Sequence, residues 1–124
     1  MSSKKWKNKN FFEALKNSIN GIKFAFKNEL NLKIQSTFAI IAILFGVWLK
    51  LQKVEWAILT LTISSVFFAE LLNTAIEEML DLYTEEYNEK IKIVKDISSG
   101  AVLVTAFSAV VIGSFLFLPK LFNL

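Results

Sequence analysis

The chain contains no cysteine and no histidine. Disulfide frameworks, thiol nucleophiles, zinc sites of the Cys/His kind and histidine general bases are thereby excluded together. Arginine is missing as well: all fourteen cations are lysines, so no planar guanidinium is on hand to clamp a phosphate. Polyphosphate, if bound, has to be met by lysine, backbone or metal. The four glycines, Gly21, Gly46, Gly100 and Gly113, are too scattered to form a phosphate-cradling loop. No GxxxxGK[ST] run marks a P-loop and no HRD or DFG signature marks a protein kinase, which removes the soluble nucleotide-binding folds. Any catalysis falls to carboxylates, lysines or hydroxyls.

What the chain has in excess is apolar side chain. Of its 124 residues 54% are apolar, against roughly 45 to 50% in an ordinary soluble domain. The length suits one domain covering 1–124. Residues 97–119 are 23 consecutive uncharged positions, and a helix needs about 20 to cross a hydrocarbon core. Residues 34–49 form a second uncharged run, which spans if Lys33 and Lys50 snorkel. Residues 56–69 form a third; Glu70 interrupts it and 71–76 resume, with Asn73 the one strongly polar side chain. The expectation is an all-α membrane protein with transmembrane helices at about 34–51, 55–82 and 96–119.

The net charge of +3 is unevenly spread, with eight of the fourteen lysines between residues 4 and 33. Such asymmetry beside apolar runs points to a membrane face rather than to nucleic acid. Residues 11–30 read as an amphipathic helix. Phe11, Phe12, Leu15, Ile19, Ile22, Phe26, Glu29 and Leu30 share one side, and Lys9, Lys16, Lys23 and Lys27 the other. An interfacial helix on the cytoplasmic leaflet fits this pattern. The Lys-rich stretch before the first span is too long for a cleavable signal peptide, so the N-terminus is expected to be retained. Three spans place the N-terminal region and the loop with Lys90, Lys92 and Lys95 on one side, eleven lysines against three, which predicts a cytoplasmic N-terminus.

The second span carries the most informative stretch. Glu70, Asn73, Glu77 and Asp81 fall within an arc of about 80° on a helix, so three acids and an amide line one face. Acids at membrane depth are costly and usually mark a site facing a bundle interior. Glu70 lies about 10 Å deeper than Glu77, so one acid is wet and the other at lipid level. Hard divalent ions take carboxylates together with substrate phosphates. The outer acids suit a metal nucleotide and the inner one a buried hydroxyl, as a reaction between a soluble and a lipid substrate requires. Glu77, Glu78 and Asp81 also admit a plainer reading as the solvated end of the helix. Glu29 is anomalous on the apolar side of its helix, and either pairs with Lys33 at i+4 or has a partner across the bundle. Lys95 and Asp96 read on their own as a charge pair at the entry of the last span, and Ser98-Ser99-Gly100 as a small-residue packing patch.

Taken together, Glu70-Leu-Leu-Asn73-Thr-Ala-Ile-Glu77-Glu-Met-Leu-Asp81 and Lys95-Asp96-Ile-Ser-Ser-Gly-Ala-Val102 form an ExxNxAxExxxD motif followed by KDxxxxAV. With the upstream Gly21-Ile-Lys-Phe-Ala-Phe-Lys-Asn-Glu29, the chain resembles over nearly its whole length the small integral-membrane bacterial lipid kinases that phosphorylate diacylglycerol or undecaprenol. The resemblance implies a homotrimer with active sites shared between neighbouring subunits in the bacterial cell membrane, each subunit having an interfacial helix and three spans. It implies Glu70 as general base at the lipid hydroxyl, Glu29 and Glu77 as Mg²⁺ ligands, and Lys95 and Asp96 as ATP contacts. Asn17, Glu86, Tyr87 and Asn88 align with the remaining nucleotide contacts, Asn73 and Asp81 with residues that shape the site, and Ser99 with a lipid contact.

The chain departs from the usual family pattern where Asn17 replaces a common Tyr, where Asn88 follows Tyr87 in place of a His, and where Ser98-Ser99 replaces a pair more often partly Ala. The run ending Phe117-Leu-Pro119-Lys120-Leu is more similar to the undecaprenol branch. The expected activity is ATP-dependent phosphorylation of a membrane lipid alcohol, with undecaprenol ahead of diacylglycerol. The competing class is a non-catalytic assembly or ion-conducting protein.

Overall fold

The computed structural model of the chain describes residues 6–123. Lys4 and Lys5, which enter the lysine count for orientation, lie outside that range. Four helices follow one another: α1 (Phe11–Asn28), α2 (Leu30–Trp48), α3 (Lys53–Tyr83) and α4 (Glu89–Leu121), with no strand among the described residues. The last three are long and apolar enough to cross a membrane. Most of their large apolar side chains point outward, among them Phe38, Leu44, Leu61, Phe68, Leu103, Phe107 and Phe115. Helices apolar all round need an apolar surrounding, as a multi-pass membrane protein has.

Local chemistry sets most of the boundaries. Asn10 caps α1, its side-chain oxygen accepting from the Glu13 N–H at 2.8 Å; an Asn side chain at this position satisfies one of the free N–H groups of the first turn. The α2–α3 turn is tight: Lys50 takes a left-handed φ of 58°, and the Leu51 N–H closes back on the Gly46 carbonyl at 3.0 Å. Gly46 is needed there because a Cβ would come within 2.8 Å of the Trp56 ring. Gln52 and Glu55 form a reciprocal capping box at the start of α3. The Glu55 carboxylate also pairs with Lys120 at 3.1 Å, tying the first turn of α3 to the last turn of α4. Pro119 sits inside that last turn, where a kink disturbs little of the helix.

Boundaries differ most from the sequence expectation in three places. The first span begins at Leu30 rather than 34, directly after Glu29, and ends at Trp48 rather than 51. The last helix begins at Glu89 rather than 96, so the connector between α3 and α4 shrinks to Thr84–Asn88. Hydropathy locates the stretch that prefers lipid, whereas backbone hydrogen bonding continues past it into water. The third difference is Glu29 itself. It is not on a helix face but is the break between α1 and α2, in extended conformation at φ −106°, ψ 114°.

The closest pair is α3 with α4, with α2 alongside and α1 touching both α2 and α3. Packing is divided by polarity along this pair. Near the Lys50 turn the buried residues are Leu51, Leu59 and Leu116, with Ala42, Trp56, Ile63, Ile112 and Phe117 around them. Towards the Asn88 connector the buried residues include, beside Ala69, the polar Glu70, Asn73, Thr74 and Ser98. Burying polar side chains is costly without partners, so the second group is where the fold has yielded packing to something else.

Candidate active site

Glu70 is the most deeply placed ionisable group, 1% exposed on α3. Neither of its carboxyl oxygens has a hydrogen-bond partner, and the buried hydroxyl of Thr74 on the next turn is also unpartnered. Orphaned buried polar atoms are few in native proteins and call for an explanation. A carboxyl with both oxygens free is an acceptor held ready for a donor.

One turn further along α3, Asn73 is fully engaged. Its Oδ1 accepts from the Ser98 hydroxyl of α4 at 2.6 Å, and its Nδ2 donates to Glu77 Oε1 at 3.2 Å. The Glu77 carboxylate, which only accepts, fixes which way the amide faces: the nitrogen turns to it, and the oxygen is left to accept from the Ser98 hydroxyl. The chain Ser98–Asn73–Glu77 thereby aims the Glu77 carboxylate through a residue on another helix. Ser98→Ala is expected to leave Asn73 Oδ1 buried and unpaired at a cost of about 1 to 3 kcal/mol. The measurement is the unfolding midpoint in detergent, and an unchanged midpoint would show that the bond contributes nothing.

The Asp81 and Lys95 side chains pair across the α3–α4 gap at 2.6 Å. Asp96 faces a different partner, Lys92, at 2.8 Å on its own helix. Lys95 and Asp96 are therefore not a mutual entry pair, because neighbours in a helix point about 100° apart. No Glu29–Lys33 ion pair occurs among the described residues. Glu29 instead looks onto the acidic face of α3. Burial lifts its carboxyl above the ordinary range, and the charges of Glu77, Glu70 and Glu78, in that order, lift it further. Like charges held together in this way favour the arrival of a cation.

The remaining sequence candidates are spread out. Glu78 and Asp81 are exposed, as the plainer reading of that helix end anticipates. Asn17 is exposed on α1 and its amide donates to Asn8. Glu86, Tyr87 and Asn88 form the connector, where the Asn88 side-chain oxygen caps α4 by accepting from the Lys90 and Ile91 N–H groups at 3.0 and 3.2 Å. That cap uses its oxygen and leaves its NH₂ free to donate. Ser99 is exposed, while its neighbour Ser98 is buried in the polar cluster. The sequence reading took Ser98 only as part of a small-residue packing patch, and it did not single out Thr74 or Gln35 of α2, whose amide oxygen is also buried and unpartnered. Ser98 and Thr74 flank the motif residues, yet nothing in a single sequence says which of two adjacent serines faces in.

Comparison with known proteins covers the same residues. A family model described as prokaryotic diacylglycerol kinase matches residues 16–117, a range that includes all the acids of the α3 face together with Glu29, Lys95 and Ser98. The chain is 37% identical over 123 residues to the undecaprenol kinase of Bacillus subtilis (strain 168), covering 98% of this chain and 100% of that protein. It is 39% identical over 105 residues to a diacylglycerol kinase of Synechocystis sp., covering 84% of this chain and 60% of the relative. With the diacylglycerol kinase of Escherichia coli (strain K12) it shares 30% identity over 91 residues, 73% of this chain and 75% of the relative. Since the match takes in most of the chain and every element that builds the polar cluster, this protein belongs to the prokaryotic diacylglycerol kinase family.

Proposed function

We propose that the protein is a lipid kinase that transfers the γ-phosphoryl group of ATP to the hydroxyl of a membrane lipid alcohol, with undecaprenol as the acceptor. The observation that carries this reading is Glu70, a carboxyl 1% exposed with both oxygens unpartnered in a helix apolar enough to span a bilayer. A carboxylate held without competing partners is suited to take a proton from an incoming hydroxyl. The undecaprenol assignment follows the Bacillus subtilis relative, which this chain matches end to end.

The other groups divide the work. Lys95 reaches the acidic face by pairing with Asp81 and is assigned to the polyphosphate, with Asp96 beside it. Asn17, Glu86, Tyr87 and the free NH₂ of Asn88 are assigned to the nucleoside end. Glu29 and Glu77 would hold Mg²⁺. Among the described residues no three His, Cys, Asp or Glu side chains form a ready-made metal cage, and Mg²⁺ does not need one, since it is commonly bound by one or two carboxylates plus substrate phosphates. An all-oxygen donor set and the mutual repulsion at Glu29 fit such an ion. When bound, it supplies neutralisation of charge on the phosphates. Asn73 positions Glu77, and Ser99 is assigned to the lipid side.

A homotrimer with shared sites is part of this reading, supported by the outward apolar faces of α2, α3 and α4. The α1 helix is assigned to the membrane surface, where its exposed Phe11, Phe12, Leu15, Ile19 and Ile22 meet lipid and its lysines meet anionic headgroups. A cytoplasmic N-terminus, from the lysine bias, puts ATP and the acidic face on the same side. Single cysteines are introduced without interference because the chain has none. Asn88→Cys is expected to be protected from an impermeant thiol reagent in intact cells and Gln52→Cys to be labelled. Labelling of Asn88→Cys from outside would defeat the kinase reading.

The direct test is an assay of the purified chain with MgATP and either undecaprenol or diacylglycerol. Faster phosphorylation of undecaprenol is expected. No phosphorylated product from either alcohol would favour the non-catalytic alternative.

A further inference from the structure

Serine and threonine hydroxyls inside a helix commonly turn back on the carbonyl four residues earlier. The apolar helices of this chain follow that habit: Thr37 donates to the Lys33 carbonyl at 3.0 Å, Thr60 to Trp56 at 2.8 Å, Thr62 to Ile58 at 2.7 Å and Ser65 to Leu61 at 2.7 Å. Thr74 breaks it. The carbonyl four residues earlier is that of Glu70, yet the Thr74 Oγ1 is buried and bonded to nothing, on a residue 6% exposed. Its hydroxyl is turned off its own backbone and closed to solvent.

Thr74 stands about 40° round the helix from Glu70 and one turn along it, so both lie on the acidic side of α3. Polar side chains at this spacing bond to one another, as Asn73 and Glu77 do on the same side at 3.2 Å. Among the described residues the buried side-chain atoms without a partner are Gln35 Oε1, both Glu70 oxygens and Thr74 Oγ1. An amide oxygen and an ionised carboxylate only accept, so Thr74 Oγ1 is the one atom of the four that can donate. At Glu70 two open oxygens therefore stand beside one protein donor, and the valences close when a single further donor arrives. The proposed reaction brings one, the hydroxyl of the lipid alcohol.

We infer that Thr74 is a positioning residue for Glu70: when the lipid alcohol enters, the Thr74 hydroxyl donates to one carboxyl oxygen and leaves the other turned to the incoming hydroxyl. The inference rests on the lipid-kinase reading and adds to it the group that orients the base. A carboxylate held at one oxygen no longer turns freely about its last torsion, so the other oxygen stays in line with the proton it takes. Glu77 has such a guide in Asn73. Glu70 has no partner of its own, although misplacing a reacting group by about 1 Å can cost a hundredfold in rate. In this role Thr74 touches neither lipid nor nucleotide and acts through Glu70.

Thr74→Val removes the hydroxyl and nearly keeps the shape, while Thr74→Ser keeps the hydroxyl. Both are assayed as the full chain in lipid nanodiscs, with MgATP and whichever of undecaprenol and dioleoylglycerol the wild type phosphorylates faster. Thr74→Val is expected to lower kcat about tenfold or more, with the KM for both substrates unchanged, and Thr74→Ser to recover most of that loss. Added to Glu70→Gln, Thr74→Val is expected to cost nothing further, because no base is left to position. The unfolding midpoint of Thr74→Val in detergent is expected not to fall, since the hydroxyl has no partner to lose. Wild-type kcat in Thr74→Val would overturn the inference and leave the kinase intact. Equal losses in the Val and Ser variants would overturn it too, by pointing to shape, and so would a raised KM for the lipid at unchanged kcat, which makes Thr74 a lipid contact. A further loss in the Glu70→Gln background, or a lowered midpoint, would likewise place the hydroxyl's work elsewhere. No phosphorylation of either alcohol by the wild type would remove the kinase reading and the inference together.

Discussion

Glu70→Gln is expected to lower lipid phosphorylation by at least about a hundredfold, the lower range of what a positioned general base contributes, with the helical content and MgATP binding of the protein retained. Glutamine matches the acid in shape and cannot accept the proton. The structure makes the expectation sharp, because no other carboxyl shares the position: Glu70 is buried with both oxygens free, whereas Glu77 is already engaged by Asn73 and Asp81 by Lys95. A rate above about a tenth of wild type would remove Glu70 from the role of base. A companion variant separates function from stability. Glu70→Leu replaces an unpartnered buried carboxyl by hydrocarbon in an apolar helix, so it is expected to be as inactive as the glutamine variant yet more stable by about 1 to 3 kcal/mol. Thermal unfolding in detergent reads that difference. An unstable Glu70→Leu protein would mean that the carboxyl has a structural partner in the assembled membrane protein.

Glu29→Ala and Glu77→Ala are each expected to raise the Mg²⁺ concentration for half-maximal activity about tenfold or more, equivalent to roughly 1.4 kcal/mol of lost binding. The two residues come from different parts of the chain, the break before α2 and the second-from-last turn of α3. What unites them is electrostatic: the Glu29 carboxyl is raised by its own burial and then chiefly by Glu77. Removing either acid relieves that repulsion. The metal-free variants are therefore expected to be no less stable than the wild type even as they lose metal. A metal titration superimposable on the wild-type curve in both variants would show that the ion is bound elsewhere.

The Ser98–Asn73–Glu77 chain connects these expectations. A hydroxyl on α4 orients an amide on α3, which in turn orients a proposed metal ligand one turn away. Each step is a hydrogen bond whose direction follows from which group can donate. The cost of losing Ser98 is therefore expected to appear in both stability and metal affinity, while Lys92→Ala, which removes the exposed Lys92–Asp96 pair on α4 and leaves Asp96 in place, should change little.

The amino-acid sequence by itself determined that the chain is all-helical with three lipid-level spans, and that Glu70, Asn73 and Glu77 share one helix face. Both are local properties: hydropathy decides which stretch leaves water, and a fixed 3.6-residue repeat decides which side chains point together. The tertiary structure decided the rest, because each remaining question concerns a neighbour distant in sequence. Glu29 lies at a helix break flanked by neither glycine nor proline, and so reads from the sequence as a mid-helix residue. Lys95 bonds Asp81 fourteen positions away rather than its neighbour Asp96. Ser98 rather than Ser99 turns inward to Asn73, since the packing of α4 on α3 selects one of two adjacent serines. Gln35 reads as an incidental polar residue in an apolar run until α3 and α4 close around it and leave its oxygen without a partner.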